Sequence, residues 1–409
     1  MRPIVIAGAG IGGLSTALAL SRRGFEVRVH ERAKEIREVG AGLQLGPNAF
    51  EAFALLGIED RMASIAFSPR AIRFRDSTTG DEVFRKNLGE SFTGRFGHPY
   101  RVAFRADVQL QLLEAVRGET RIEVNIDEGI ARFTEDDGGM LVTTDRGRRI
   151  AAAALVGADG LWSDTRQAIL GDGRPIDHGH IAYRAVLDCA SLPPGLATDD
   201  VEVWVGPGHH VVCYKLRRGE LFNVVAIIES QASQDGWEGE PDLAELHRSF
   251  ERACAPLRRL LPLLDESRVW VLRDRLPVNS WSRGAATLLG DAAHPTLPYL
   301  AQGACMAIED AVCLAEHFSR RAPAFAAACV EYERERAART ARIQTAAREM
   351  GRLNHLAGEA ARARNATLAG RDPDDHEGSA WIFDGPRAAV PAGPTTFFGR
   401  DGSLGSQTH

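Results

Sequence analysis

Three sets of residues in this sequence have types and spacings that could do chemistry. The first is Gly8-Ala9-Gly10-Ile11-Gly12-Gly13, in which Gly8, Gly10 and Gly13 fall in a GxGxxG spacing with Glu31 about 20 positions on. Gly8 suits a tight turn, Gly10 lets a pyrophosphate reach the backbone, and Gly13 lets a helix pack closely on a strand. Ile11 and Gly12 lie at the start of that helix, and Glu31 can accept from a ribose hydroxyl. This is the chemistry of dinucleotide binding, and by itself it does not choose between a nicotinamide and a flavin nucleotide. The second set is His210 and Tyr214, four residues apart in an alternating apolar stretch, so a strand would turn both to one side. An imidazole with an ordinary pKa near 6.5 can accept a phenolic proton near neutral pH, and the tyrosine hydroxyl can hold the same oxygen. A packed structural pair is the alternative. The third set is Gly290-Asp291, after a short apolar run, with Gly303 and Ala304 opening a stretch of small residues. A carboxylate at a strand's carboxyl end can bond a polyol. A helix N-terminus can stabilise an electron-rich ring.

The surrounding pattern supplies the elements such residues need. Residues 3–7 (PIVIA) read as a buried strand, 11–23 as a helix stopped by Gly24, and 25–30 (FEVRVH) as a second strand. This βαβ opening implies a parallel sheet with the ligand at the strands' carboxyl ends. A helix is expected at 105–116 and a short strand at 155–157. Between 181 and 229, VEVWVG, HVVCYKL and LFNVVAII alternate as strands of an antiparallel sheet. The chain then returns to a strand at 287–289, a helix at 303–317 and charged, alanine-rich helix from 323 to 356. The expected fold class is α/β with α+β. A discontinuous Rossmann-type domain (1–175 and 276–385, the latter with the C-terminal helices) would carry an inserted antiparallel-sheet substrate domain (176–275). A Gly-, Pro-, Ser- and Thr-rich tail, 386–409, is expected to be flexible.

Composition narrows the partner. Across 409 residues, 44% are hydrophobic and 25% charged, as in an ordinary globular protein, and the net charge of -6 offers no basic field for nucleic acid. The six cysteines show no CxxC pair and no zinc spacing, so reduced thiols and no metal site are expected. The glycines at 8, 10, 12 and 13 argue against reading the N-terminus as an export signal. No stretch approaches the roughly 18 apolar residues of a membrane span. A cytoplasmic protein with a small-molecule partner is expected.

The segments LVGADGLWSDTR (155–166), TLLGDAAHPTLPYLAQGACMAIEDA (287–311), EVGAGLQLGPNAF (38–50) and GRFGHPYRVAFRADV (94–108) resemble those of the FAD-dependent aromatic hydroxylases. The resemblance runs from about residue 3 to 385 and implies the p-hydroxybenzoate hydroxylase fold with FAD bound. It places Asp159 and Gly160 in a stretch associated with FAD and NAD(P)H, Gly290-Asp291 at the flavin ribityl chain, and Arg105 facing the flavin phosphate and ribityl region. Arg32 and Ile130 would flank the adenosine, and residues 39–44, ending in Gln44, would run along the isoalloxazine. A single dinucleotide fingerprint further implies NADH or NADPH as a transient cosubstrate. O2 would then form a C4a-hydroperoxyflavin that hydroxylates a small phenolic or heteroaromatic acid, and a homodimer is implied. Within the family the likeness is greatest to 3-hydroxybenzoate 6-hydroxylases, in which the residues matching His210 and Tyr214 contact substrate, and the reaction implied is 3-hydroxybenzoate to gentisate. Gln44 follows that pattern. Pro298 departs from it, standing where those enzymes have a glutamine able to donate and accept. Salicylate or 6-hydroxynicotinate hydroxylation therefore stays open, as does a non-catalytic binding protein of the same fold. His209, His294 and Tyr299 are expected to be structural.

Overall fold

A computed structural model describes residues 2–36, 41–136, 138–230, 242–264 and 267–385. Val39 and Gly40 of the isoalloxazine stretch and the expected tail 386–409 lie outside the described residues. The opening folds as its pattern requires. A fully buried strand, Ile4–Ala7, leads through the glycines into the helix Ile11–Ser21, and Val27–His30 returns parallel to the first strand with Ile4 opposite Val27. The second strand starts two residues later than its alternation suggests, because Phe25 donates its N–H to the Leu20 carbonyl and so still belongs to the helix-ending turn.

Six strands form the first sheet, in the order Ser282–Arg283, Ala286–Leu288, Ala154–Gly157, Ile4–Ala7, Val27–His30, Ile122–Asn125, all parallel except the first. From Ile4–Ala7 the chain first builds outward on one side, then crosses to Ala154–Gly157 on the other. The strand order reverses at that point, and a crevice opens outside the carboxyl ends of the two central strands.

The second large sheet has seven strands, in the order Arg268–Asp274, Ile176–Asp188, Leu221–Glu229, His209–Leu216, Val201–Gly206, Ala71–Asp76, Glu82–Asn87. Its middle follows the expected alternation. Its edge draws two strands from residues 71–87, joined by the only parallel pairing among this sheet's described residues, Val201–Gly206 with Ala71–Asp76. One face, with Leu246, Phe250 and Leu257 over Trp204, Val211 and Cys213, closes a small core of its own. The opposite face, with Val203, Val205, Tyr214, Leu216 and Ile227, turns toward the long C-terminal helices and Leu297 and Leu300. A small two-stranded sheet, Gly42–Leu45 with Arg101–Phe104, lies between this face and the dinucleotide crevice. All six cysteines are free, and no described helix is long and apolar enough to cross a membrane.

The helix Gly303–Arg321 is fixed by buried charge. Asp310 accepts from the Gly290 N–H at 3.0 Å, from His294 Nε2 at 2.6 Å and from Arg336 Nε at 2.6 Å. Glu309 accepts from Arg339, and also pairs with Arg336 at 2.7 Å and with Asn48. Arg336 and Arg339 lie on the helix Phe325–Asn354. Burial alone would raise the Glu309 carboxyl, but Arg339 and Arg336 outweigh it and hold the group down at about 2; Asp310 is likewise held far below the ordinary carboxylate range.

Arg336→Met takes the guanidinium from Asp310 and one of two from Glu309, and is expected to cost about 3–5 kcal/mol of unfolding free energy, read by urea denaturation. Because the folded pKa of Glu309 lies below its unfolded value of about 4.3, the stability it adds is complete at neutral pH. It is lost as pH falls from about 5 toward 2, so the melting temperature should drop through that window, and by less in the variant.

Candidate active site

Gly8 ends the first strand at φ +102°, a conformation L side chains rarely adopt, and a Cβ there would lie 2.4 Å from the Ala158 carbonyl oxygen. A Cβ on Gly13 would lie 2.0 Å from the Gly8 oxygen, so helix and turn pack at backbone contact. Gly10 differs. It caps the helix with no side-chain hydrogen bond, and nothing lies within 4 Å of where its Cβ would be. Glu31 closes the far side, accepting from the N–H groups of Ala9 at 2.8 Å and Ala33 at 2.9 Å. Backbone bonds from Asp127 to Ala33 and from Glu128 to Glu31 run the next segment alongside, which brings Ile130 near the exposed Arg32. Asp159 stands beside the Gly8 turn with its carboxylate turned inward: Ser163 Oγ at 2.5 Å, Thr165 N at 3.0 Å and Thr165 Oγ1 at 2.9 Å donate to it. Burial raises its pKa against those bonds. In the same motif, buried Arg166 donates to the carbonyls of Ala292 at 2.9 Å and Ala293 at 2.6 Å, fastening this turn to the Gly290-Asp291 turn.

The other end of the crevice is built around the helix Gly303–Arg321, which also lacks a side-chain cap. Gly303 and Ala304 open it, and Asp291 approaches it, with Oδ1 3.8 Å from where a Gly303 Cβ would be. Gln44 lies on the strand Gly42–Leu45 and accepts from the Tyr100 hydroxyl at 2.6 Å, while its carbonyl accepts from Cys305 Sγ. Arg105 begins the helix Arg105–Arg117 and donates its N–H to the Ala41 carbonyl. Gly12 packs on Leu289 and Ala307, so the two glycine-opened helices meet through small residues.

His210 and Tyr214 share one face of the strand His209–Leu216, but the strand rise sets their backbones about 13 Å apart. Their partners differ. Tyr214 abuts Gly42, whose Cβ would lie 2.5 Å from its hydroxyl oxygen, and Gly42 donates its N–H to Asn223 at 2.8 Å. His210 Nδ1 is 2.7 Å from His355 Nε2, and its ring faces Tyr299, whose hydroxyl meets His180 Nδ1 at 2.5 Å. Tyr299, expected to be structural, thus joins this face. His209 points the other way, to Ser77 and Phe250, and His294 is held by Asp310. Burial, then repulsion from His355, His180 and His209, keeps the His210 imidazole neutral well below its ordinary range, and burial drives the Tyr214 hydroxyl up.

Sequence reasoning passed over Arg184. It projects on the same face from Ile176–Asp188, the next strand but one, opposite Val225, which in turn pairs with Val212, midway between His210 and Tyr214. Burial, then repulsion from Arg105, pulls its guanidinium down to about 10, so it stays charged at neutral pH. The available signal was an arginine on the inward phase of IAYRAVL.

Residues 1–347 match the family described as FAD binding domain. The chain is 42% identical over 382 residues to the 3-hydroxybenzoate 6-hydroxylase of Polaromonas naphthalenivorans, covering 93% of this chain and 95% of that protein. The 6-hydroxynicotinate 3-monooxygenase of Bordetella bronchiseptica is 33% identical over 348 residues, 83% of this chain and 89% of that one. Klebsiella pneumoniae HpxO, crystallised with FAD and uric acid, superposes with a TM-score of 0.81 at 28% identity over 93% of this chain and 95% of that one. The chain belongs to the FAD-dependent aromatic hydroxylases.

The hydroxylase's cofactor is FAD, and the crevice suits it. An open Cβ position at Gly10 and an uncapped helix N-terminus leave room and N–H donors for a pyrophosphate. The second uncapped helix, at Gly303, offers the same positive end to the ring system. These features separate two glycine variants. Gly10→Ala is expected to melt like wild type as the flavin-free protein yet lose FAD affinity at least about tenfold, read by flavin fluorescence titration. Gly13→Val, which drives side-chain atoms into the Gly8 carbonyl, should lower the melting temperature of the flavin-free protein itself.

Proposed function

We propose that this hydroxylase acts on a small aromatic acid carrying a ring hydroxyl, with conversion of 3-hydroxybenzoate to gentisate as the first candidate. The observation that carries the reading is that Arg184, His210 and Tyr214 stand on one sheet face beside the flavin crevice, with Val203, Val212 and Val225 between them. When bound, FAD supplies the oxygen chemistry, and NADH or NADPH supplies the electrons. The residues do the rest. Arg184 offers charge to the carboxylate, and His210 accepts the hydroxyl proton. Tyr214, kept protonated by burial, donates to a ring oxygen. Val203, Val212 and Val225 supply the dry floor that excludes water. Around the cofactor, the reading assigns Gly8, Gly10, Ile11, Gly12 and Gly13 to the pyrophosphate turn, and Glu31, Arg32 and Ile130 to the adenosine. Asp291, Arg105, Gln44, Gly303 and Ala304 serve the ribityl chain and ring, with Asp159 and Gly290 shaping the turns. Homodimeric assembly and a cytoplasmic location belong to the same proposal; the first rests on the family resemblance alone, the second on the glycine-broken N-terminal run and the want of a long apolar stretch in the sequence.

Pro298 favours a second reading. It begins the short turn Pro298–Leu300, where its missing N–H costs nothing, but its ring offers no hydrogen bond to substrate. Salicylate and 6-hydroxynicotinate are therefore the next acids to try.

The test is NADH oxidation in air by FAD-saturated protein, with and without 3-hydroxybenzoate. A several-fold stimulation with one oxygen atom added to the acid is expected. Stimulation without a hydroxylated product would shift the reading to the other acids, and no stimulation by any of them would sink it. Arg184→Met should raise KM for the acid by about tenfold or more, the worth of a charged hydrogen bond, while leaving KM for the uncharged amide analogue nearly unchanged. An equal effect on both would remove Arg184 from carboxylate binding.

A further inference from the structure

Behind His210 the structure holds a row of groups that the assigned roles do not use. His355 follows the helix Phe325–Asn354 and is buried; its Nε2 lies 2.7 Å from His210 Nδ1 and its Nδ1 lies 3.2 Å from Glu229 Oε1. Glu229 ends the strand Leu221–Glu229, and its side chain is 57% exposed. Thus two hydrogen bonds connect a buried imidazole on the substrate face to a carboxylate in solvent.

The end of the row dictates the proton order along it. A carboxylate only accepts, so a neutral His355 must carry its proton on Nδ1. Its Nε2 is then a lone pair, and His210 Nδ1 must supply the N–H between the rings. The unprotonated nitrogen of His210 is thereby Nε2, the atom free to act as a base.

We propose that His355 and Glu229 are the proton exit of the site. As His210 Nε2 takes the phenolic proton, the proton on His210 Nδ1 passes to His355 Nε2, and that on His355 Nδ1 passes to Glu229 and on to water. The substrate becomes phenolate, both imidazoles stay neutral, and one proton appears in solvent. Its return along the same row, when the product leaves as a phenol, resets both tautomers. Both rings are poor places to store a proton: burial, with His180, His209 and Arg364 adding repulsion, takes His355 down to about 3. The groups around the pair are His180 on the strand Ile176–Asp188, Glu229, His209 behind the sheet, Tyr299 on the turn Pro298–Leu300, and Arg364 on the helix Gly358–Ala369. Glu229 is the one anion among them. This inference rests on the hydroxylase reading, with the substrate hydroxyl at His210.

The experiment uses oxidised, FAD-loaded enzyme in weak buffer, with a pH-indicator dye in a stopped-flow cell and 3-hydroxybenzoate as the probe. Wild type should release a proton on binding. His355→Gln can bridge both hydrogen bonds but cannot pass a proton, so release should slow by about tenfold or more with an unchanged Kd. The kcat profile should acquire a dependence on rising pH, and imidazole added to His355→Ala should restore the rate. Glu229→Gln, at the exposed end, tests the same row without touching the core and should also slow release. Release as fast as wild type in His355→Gln and Glu229→Gln, with unaltered pH profiles, overturns the relay and leaves the hydroxylase reading standing. Failure of wild type to hydroxylate any of the aromatic acids overturns that reading, and the relay with it.

Discussion

The arrangement of the flavin end of the crevice depends on one buried carboxylate. Asp310 holds the Gly290 N–H, His294 and Arg336 at once, so the turn before the helix Gly303–Arg321 has no freedom to drift from the helix it precedes. The cost of burying this charge is high, and the attraction of Arg336 roughly offsets it rather than adding stability. What the network contributes is position. Asp291 cannot face the helix N-terminus unless Gly290 is anchored, and Arg166 extends the same anchoring across the crevice by gripping the carbonyls of Ala292 and Ala293. The turns that follow two neighbouring parallel strands are thereby held as one rigid floor.

The sheet face proposed for substrate is set against that floor by contact as close as the glycines allow. Gly42 meets the Tyr214 hydroxyl where any Cβ would collide, and its N–H goes to Asn223 on the adjoining strand. The strand that carries Gln44 is thus keyed to the sheet that carries Arg184, His210 and Tyr214. A shift of either by one residue would exchange inward for outward side chains and empty the face of its polar groups.

What could be read in advance follows from how local each requirement is. The glycine turn, its helix and Glu31 are one contiguous unit whose spacing encodes its own physics, and they fold as expected. The shared face of His210 and Tyr214 follows from a period of two. Their different surroundings do not, because His355, Tyr299, Arg184 and Gly42 arrive from four distant segments. Recruitment of residues 71–87 to the second sheet was invisible for the same reason: a parallel pairing with Val201–Gly206 leaves no mark on either sequence. Asp159 shows the opposite limit. Its motif was legible, but its carboxylate is spent on Ser163 and Thr165, and its place beside the Gly8 turn comes from holding that loop shut.

Charge on the proposed substrate face is divided rather than pooled. An acid would bind more tightly to two cations than to one, yet a cationic His210 could not take a proton. Burial resolves the conflict by acting unequally on the two side chains. A guanidinium pulled down to about 10 is still fully charged at neutral pH, whereas the same desolvation leaves an imidazole neutral. On the proposed reading, one end of the face would attract the carboxylate while the other stays ready to accept. The weakness of so poor a base is tolerable only if the proton moves on as it arrives, and under the proposed relay an imidazole backed by a second imidazole and a solvent-facing carboxylate would meet that condition without any charge being stored in the core.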